Sequence, residues 1–200
     1  KKFAFTHLTG IDLLGERAGF VPSPEWKQQM AHDRWYRGDT YNVSIGQGGL
    51  LVTPLQLAVS YAGLVNNGHL PQPRLVSSLQ YPNQELENIN YKEFGMVNFD
   101  NSVWEVIKSA MRQTVISGSA RSLGDLPVLV AGKTGTAQAG RGKVTHAWFA
   151  GYAPAYKPDI IVVVMVEHGG EGSSVAVPIA REVFKWYAVH KDELKGTVVN

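Results

Sequence analysis

The sequence predicts an α+β fold, with helices packed on an antiparallel sheet, and three observations lead there. Two segments, beginning near Thr53 and Ser102, combine helix-start chemistry with apolar residues at helical spacing. Three closely spaced runs after Val128 are extended in character, and the tail from about Pro178 to His190 returns to helical spacing. Short connections between the three runs predict antiparallel neighbours.

The elements follow in order. The first fifty residues are rich in Gly, Pro and aromatics, with "VPSPEWK" and "RWYRGDTYNVSIGQGG" interrupting any long period, so ordered loops and short elements are expected there. Thr53 reads as an N-cap, with Pro54 in the first helical position and Gln56 completing a capping box. Leu57, Ala58, Tyr61, Ala62 and Val65 continue the helix, and Asn66-Asn67-Gly68 supplies a left-handed stop. The polar stretch from Pro71 to Asn101 is expected at the surface, with short strands around "PRLVSSLQY".

Ser102 and Glu105 repeat the capping-box pattern ahead of a helix over about 103–116. Its apolar stripe is read as Val103, Val106, Ile107, Ala110, Met111 and Thr114, and its end as Ser117-Gly118. "VLVAGKTGTAQ", "HAWFAGYAP" and "DIIVVVMVEH" are the three strands. The last is expected to be central because it is densest in β-branched residues. Ile179, Val183, Trp186 and Tyr187 carry the helical spacing of the final helix.

Composition bounds the function. At 200 residues, with 44% hydrophobic and 18% charged, the chain can bury one sizeable core and reads as one domain or most of one. Nineteen basic residues are scattered among seventeen acidic ones, for a net charge of +2, so nucleic acid has no electrostatic footprint here. The absence of cysteine rules out disulfides, thiolate metal sites and a cysteine nucleophile. The apolar run Ile160 to Val166 falls well short of the ~20 residues that span a bilayer. "KDEL" at 191–194 is internal and so is no retention address. A start at Lys1-Lys2-Phe3 without methionine predicts a fragment or processed product.

The segment "GKTGTAQ", residues 132–138, carries the chemistry. A phosphate-binding P-loop would need its first glycine where Pro127 stands, and a helix where the sequence reads as strand. "GQGGLL" fails as a dinucleotide loop at Leu51. The six histidines are too dispersed to form a ligand pair, so no metal is expected. An acyl-transfer wall, by contrast, needs a fixed cation, hydroxyl donors for a carboxylate, and an edge along which substrate can lie. Lys133 is the cation and Thr134 and Thr136 are the hydroxyls. On a regular strand both threonines share one face, and Gly135 leaves room for a ligand. The same four residues could equally form a strand edge guarded by a lysine.

The surrounding stretches resemble the class B penicillin-binding proteins, and within them the elongation type. K-T-G is one of the motifs of the serine penicillin-recognising enzymes. "TGIDLLGE", "GDTYNVSIGQGGLLVTPLQLAVSYAGLVNNG", "SGSA", "AGKTGTAQ" and "HAWFAGYAP" follow in the family's order over most of the chain, and "GDT" with "SIGQG" favours the elongation type. The resemblance implies the fold shared by penicillin-binding proteins and serine β-lactamases, and a D,D-transpeptidase that cross-links peptidoglycan. It assigns Lys133 to the electrostatics of the serine site. The hydroxyls of Thr134 and Thr136 would hold the terminal carboxylate of substrate or drug, and the N–H of Thr136 would supply half of the oxyanion hole.

No cofactor is implied. The implied partners are peptidoglycan stem peptides, β-lactams and a membrane-embedded, glycan-polymerising glycosyltransferase. The implied location is the outer face of the cytoplasmic membrane, reached by a single-pass anchor outside these residues. One departure matters: no serine begins S-x-x-K or S-x-N, since Ser23 meets Lys27 one position too late and Ser109 meets Arg112. Residues 1–200 are therefore expected to be the C-terminal portion of a transpeptidase domain, requiring the upstream part of the same protein for its nucleophile. A serine β-lactamase and a non-catalytic penicillin-binding or sensor module are the alternatives.

Overall fold

The computed structural model of the chain describes residues 2–90, 92–138, 140 and 142–196. It divides into two compact units, Lys1–Phe99 and Asp100–Asn200. In the first, α1 (Pro24–Ala31) and α2 (Arg37–Ser44) are short, as the broken periodicity predicts. The "GDT" turn is fixed by Asp39, whose carboxylate accepts from the Tyr36 N–H at 2.8 Å and from Lys27 Nζ at 2.7 Å. The Lys27 ammonium, then the Tyr36 N–H, hold this carboxyl below its ordinary value.

The loop "TGIDLLGE" closes on Glu16. Its carboxylate accepts from the Thr9 N–H and hydroxyl, both at 2.6 Å, and from the Gly10 N–H at 3.1 Å. Burial opposes the charge, but these hydrogen bonds outweigh it and hold the Glu16 carboxyl below its ordinary value.

Helix α3 spans Pro54–Val65 with the capping box complete. Gln56 does more than cap. It is fully buried, and while its Oε1 accepts from the Thr53 N–H, its amide donates to the carbonyls of Ala4 and His7 at 3.2 and 2.9 Å. One side chain thus caps the start of a helix and ties down the N-terminal segment, with its polar atoms satisfied in the core. The helix stops at Asn66, and Asn67 and Gly68 follow with φ of 52° and 102°. Strands β1 (His69–Pro71), β2 (Ser78–Leu79), β3 (Glu87–Asn88) and β4 (Glu93–Met96) form two small antiparallel pairs, β1 with β4 and β2 with β3.

The second unit begins with α4, Asn101–Ile116. Its N-cap is Asp100 rather than Ser102, two residues earlier than the capping-box pattern indicates. The buried face also differs from the expected stripe. Trp104 and Val115 are buried, with Ile107 and Met111 between them, whereas Val106 is 68% exposed. The helix carries apolar residues on two sides, and the bulk of Trp104 decides which side turns inward.

Strands β5 (Ala131–Ala137), β6 (His146–Ala153) and β7 (Ile160–Val166) form the expected antiparallel sheet, in the order β5-β6-β7. The central strand is β6, not the β-branched β7, which corrects the sequence reading. The middle of the sheet is crowded on both faces, so β6 is built largely from Ala, Gly and aromatic residues, of which Ala147, Phe149, Tyr152 and Ala153 are buried. On β7 only Val162 is buried, so its valines report strand propensity and not centrality.

After β7 a single π-type turn, Gly172–Ala176, leads into α5, Val177–Gly196. The helix buries Val177, Ala180, Phe184 and Tyr187, and Phe184 meets Phe149 of β6 edge to face at 6.4 Å. Of the residues that carry the helical spacing only Tyr187 is buried; Trp186 is 52% exposed, and Ile179 and Val183 also lie outward. The Tyr187 hydroxyl donates to Asp159 at 2.9 Å, and burial, then this carboxylate, push its pKa up to about 12. The Tyr152 hydroxyl is buried and has no hydrogen-bond partner among the described residues. No helix among those residues is long and apolar enough to cross a membrane.

Candidate active-site strand

Lys133, Thr134, Gly135 and Thr136 all lie on β5, an edge strand that pairs only with β6 among the described residues. The segment therefore starts no helix and has no P-loop geometry. The register sets Lys133 opposite Ala150, Thr134 opposite Phe149, Gly135 opposite Trp148 and Thr136 opposite Ala147. Cross-strand partners share a face, so both threonines turn toward the side on which Phe149 meets α5, and Lys133 turns to the other. The alternation read from the sequence holds.

The exposed Lys133 donates from Nζ to the Thr134 carbonyl at 2.9 Å. A Cβ on Gly135 would lie 3.2 Å from Trp148 Cβ, so this position is narrow on the lysine side. The two hydroxyls have different partners. Thr134 Oγ1 lies 2.6 Å from Ser119 Oγ, in the "SGSA" turn that follows α4, and either oxygen can donate. Thr136 Oγ1 donates to Glu171 Oε2 at 3.0 Å and accepts from the Gly172 N–H at 3.4 Å.

Glu171 and Gly172 reach the strand because the end of the β6–β7 hairpin is pinned. The Gly170 N–H donates to the Thr145 carbonyl, and the Thr145 hydroxyl donates back to the Gly170 carbonyl, both at 2.9 Å. Beside this pair the His168 N–H donates to His146 Nδ1 at 3.1 Å. Gly172 then passes so close to β5 and β6 that a Cβ there would strike the carbonyl oxygens of Gly135 and Trp148. The Glu171 carbonyl accepts from the Val175 N–H at 3.1 Å, while its carboxylate caps nothing in its own turn and crosses to Thr136.

Sequence reasoning did not find Glu171 or Gly172. The only local signal is the glycine density of "HGGEGSS" between a strand and a helix, which marks a close backbone approach without saying to what. Ser119 lies within a stretch already singled out, but its contact with Thr134 is not readable from spacing.

The family model described as the penicillin binding protein transpeptidase domain matches residues 1–185. Among curated relatives, the chain is similar to the peptidoglycan D,D-transpeptidase MrdA of Haemophilus influenzae, with 37% identity over 206 residues covering 94% of this chain and 31% of that protein. Among solved structures it is similar to Pseudomonas aeruginosa PBP2 in complex with WCK 5153, with 36% identity and a TM-score of 0.79 over 93% of this chain and 42% of that one. It is also similar, at 34% identity and a TM-score of 0.78, to a chain in a peptidoglycan synthase complex described as coordinating polymerization and crosslinking; 93% of this chain and 31% of that one are covered. The chain thus spans about a third of the length of the curated relatives it matches. Matched along nearly all its length, and folded as those structures are, it belongs to the penicillin-binding protein transpeptidase-domain family.

Proposed function

We propose that the chain forms one wall of the acyl-transfer site of a peptidoglycan D,D-transpeptidase, with β5 as the strand that receives the substrate. One observation carries the reading: Thr134 and Thr136 present two hydroxyls on one face of an edge strand, with Lys133 just before them on the other. In this site a serine from outside residues 1–200 attacks the carbonyl of a D-Ala-D-Ala bond. The C–N bond breaks, D-alanine leaves with a proton, and the acyl group passes from the serine to an amine on a neighbouring stem peptide. A β-lactam presents the same carbonyl and carboxylate and stops at the acyl-enzyme.

Each residue has a distinct part. The hydroxyls of Thr134 and Thr136 donate to the terminal carboxylate and set where the scissile carbonyl lies. The Thr136 N–H donates to the oxyanion that forms on attack, where removal of one such donor typically costs about 10²–10³ in rate. Lys133 supplies positive charge near the serine, which favours the anionic intermediate. The transpeptidase names of the relatives favour transfer over a β-lactamase or a non-catalytic sensor. By the same family argument, residues 1–200 are the C-terminal portion of the domain, and the full-length protein is anchored in the cytoplasmic membrane with this site outside it. It would there work beside a glycan-polymerising glycosyltransferase, in keeping with the synthase complex to which a related chain belongs.

The test is acylation of the full-length protein by a labelled penicillin. Lys133→Ala and Thr136→Val each slow acylation sharply while the protein stays folded. Unchanged acylation in both variants overturns the reading.

A further inference from the structure

The Thr136 hydroxyl has a single proton, and in this structure Glu171 takes it. A ligand carboxylate that binds Thr136 needs the same proton. Two carboxylates cannot share it, and bringing them together also sets like charges a few ångströms apart. Thr134 has no such conflict. Its partner is the Ser119 hydroxyl, which can rotate and donate to Thr134 while Thr134 donates to a ligand.

Glu171 is not loosely placed. Its backbone sits between the Thr145–Gly170 hydrogen-bond pair and the turn that opens α5. The Gly172 N–H also donates to Thr136 Oγ1, which leaves the hydroxyl's proton directed at the carboxylate. The Glu171 side chain is itself exposed, so it can swing into solvent without breaking the core.

We infer that Glu171 is a specificity-determining gate on the carboxylate subsite of β5: it occupies the Thr136 hydroxyl when the site is empty and must turn away before an anionic ligand can be seated. The inference rests on the transpeptidase reading of the site. Its consequence is a penalty that falls on ligands in proportion to their negative charge at Thr136. A ligand with an uncharged group there meets no repulsion, and one with an ammonium group is attracted.

The gate is tested by the ratio of two acylation rates in the full-length protein, for a penicillin with its free carboxylate and for the same penicillin with that carboxylate esterified. A ratio cancels any change in the fraction of protein that is folded, so partial misfolding of a variant cannot imitate the effect. Glu171→Gln keeps an acceptor of the same shape for Thr136 and removes the charge, and it should raise the ratio of free acid to ester about fivefold, as expected for one like charge at short range near water. Glu171→Ala should move it in the same direction. If the parent protein is acylated and the ratio is unchanged or falls in both variants, the gate is overturned while the transpeptidase reading stands. If the full-length parent is not acylated at all, that reading fails and the gate fails with it.

Discussion

Glu16 and Glu171 are both carboxylates that draw a loop onto a threonine, and they do so on different terms. Glu16 collects three donors, two of them from buried Thr9, and its loop is closed within one short stretch of sequence. Glu171 holds one hydroxyl, on a strand 35 residues earlier, and remains exposed. Glu16 is part of the scaffold, because releasing it leaves the N–H and hydroxyl of buried Thr9 unpaired. A carboxylate with a single hydroxyl partner can be displaced by another acceptor of equal charge. The first arrangement fits a structural loop and the second a binding strand.

Mutations separate the two carboxylates. The largest effect is expected from Thr136→Val, which removes the hydroxyl that Glu171 holds. With one charged hydrogen bond to the ligand lost, acylation of the full-length protein should slow by about tenfold to a hundredfold with little change in melting temperature. Gly172→Ala comes next. Its Cβ meets two carbonyl oxygens, so a loss of about 2 kcal/mol is expected in denaturant titration, together with slower acylation as β5 shifts.

Glu16→Gln should cost about 1–2 kcal/mol by the same titration and leave the acylation rate per folded molecule unchanged. Its pH dependence separates it further. The folded-state pKa of Glu16 lies below its ordinary 4.5, so its stabilisation is complete above that value and is lost as pH falls through the folded-state pKa. Melting temperature in Glu16→Gln should therefore vary less than in the parent as pH is lowered below about 5. The smallest effect is expected at Tyr152, whose buried hydroxyl has no partner among the described residues. Tyr152→Phe should be neutral or stabilising by up to about 1 kcal/mol, and a loss of more than that would reveal a partner for the hydroxyl.

Much of the fold was legible in the sequence because its signals are local. The Thr53–Gln56 capping box, the Asn67-Gly68 stop and the three strand runs each depend on residues close in the chain. The buried faces of α4 and α5 were not legible for the opposite reason. Both helices carry apolar residues on more than one side, so Val106 and Trp186 satisfied the helical spacing yet lie outward. The same limit moved β7 from the centre of the sheet to one side, since its valines report preference for extended backbone and the order of strands is a tertiary outcome.

At the site, alternation along β5 was readable from Lys133 to Thr136, and the register bears it out. The partners of the two hydroxyls were not. Ser119 is 15 residues away and Glu171 is 35, and no periodicity links either to the strand. The exposed Glu171 reads as an ordinary surface residue, and only the fold brings it to Thr136.

The most direct test is a structure of the full-length protein acylated by a penicillin. The ligand carboxylate should lie about 2.8 Å from both Thr134 Oγ1 and Thr136 Oγ1, with Glu171 turned off Thr136. A carboxylate bound elsewhere, with Glu171 still accepting from Thr136, would contradict this placement.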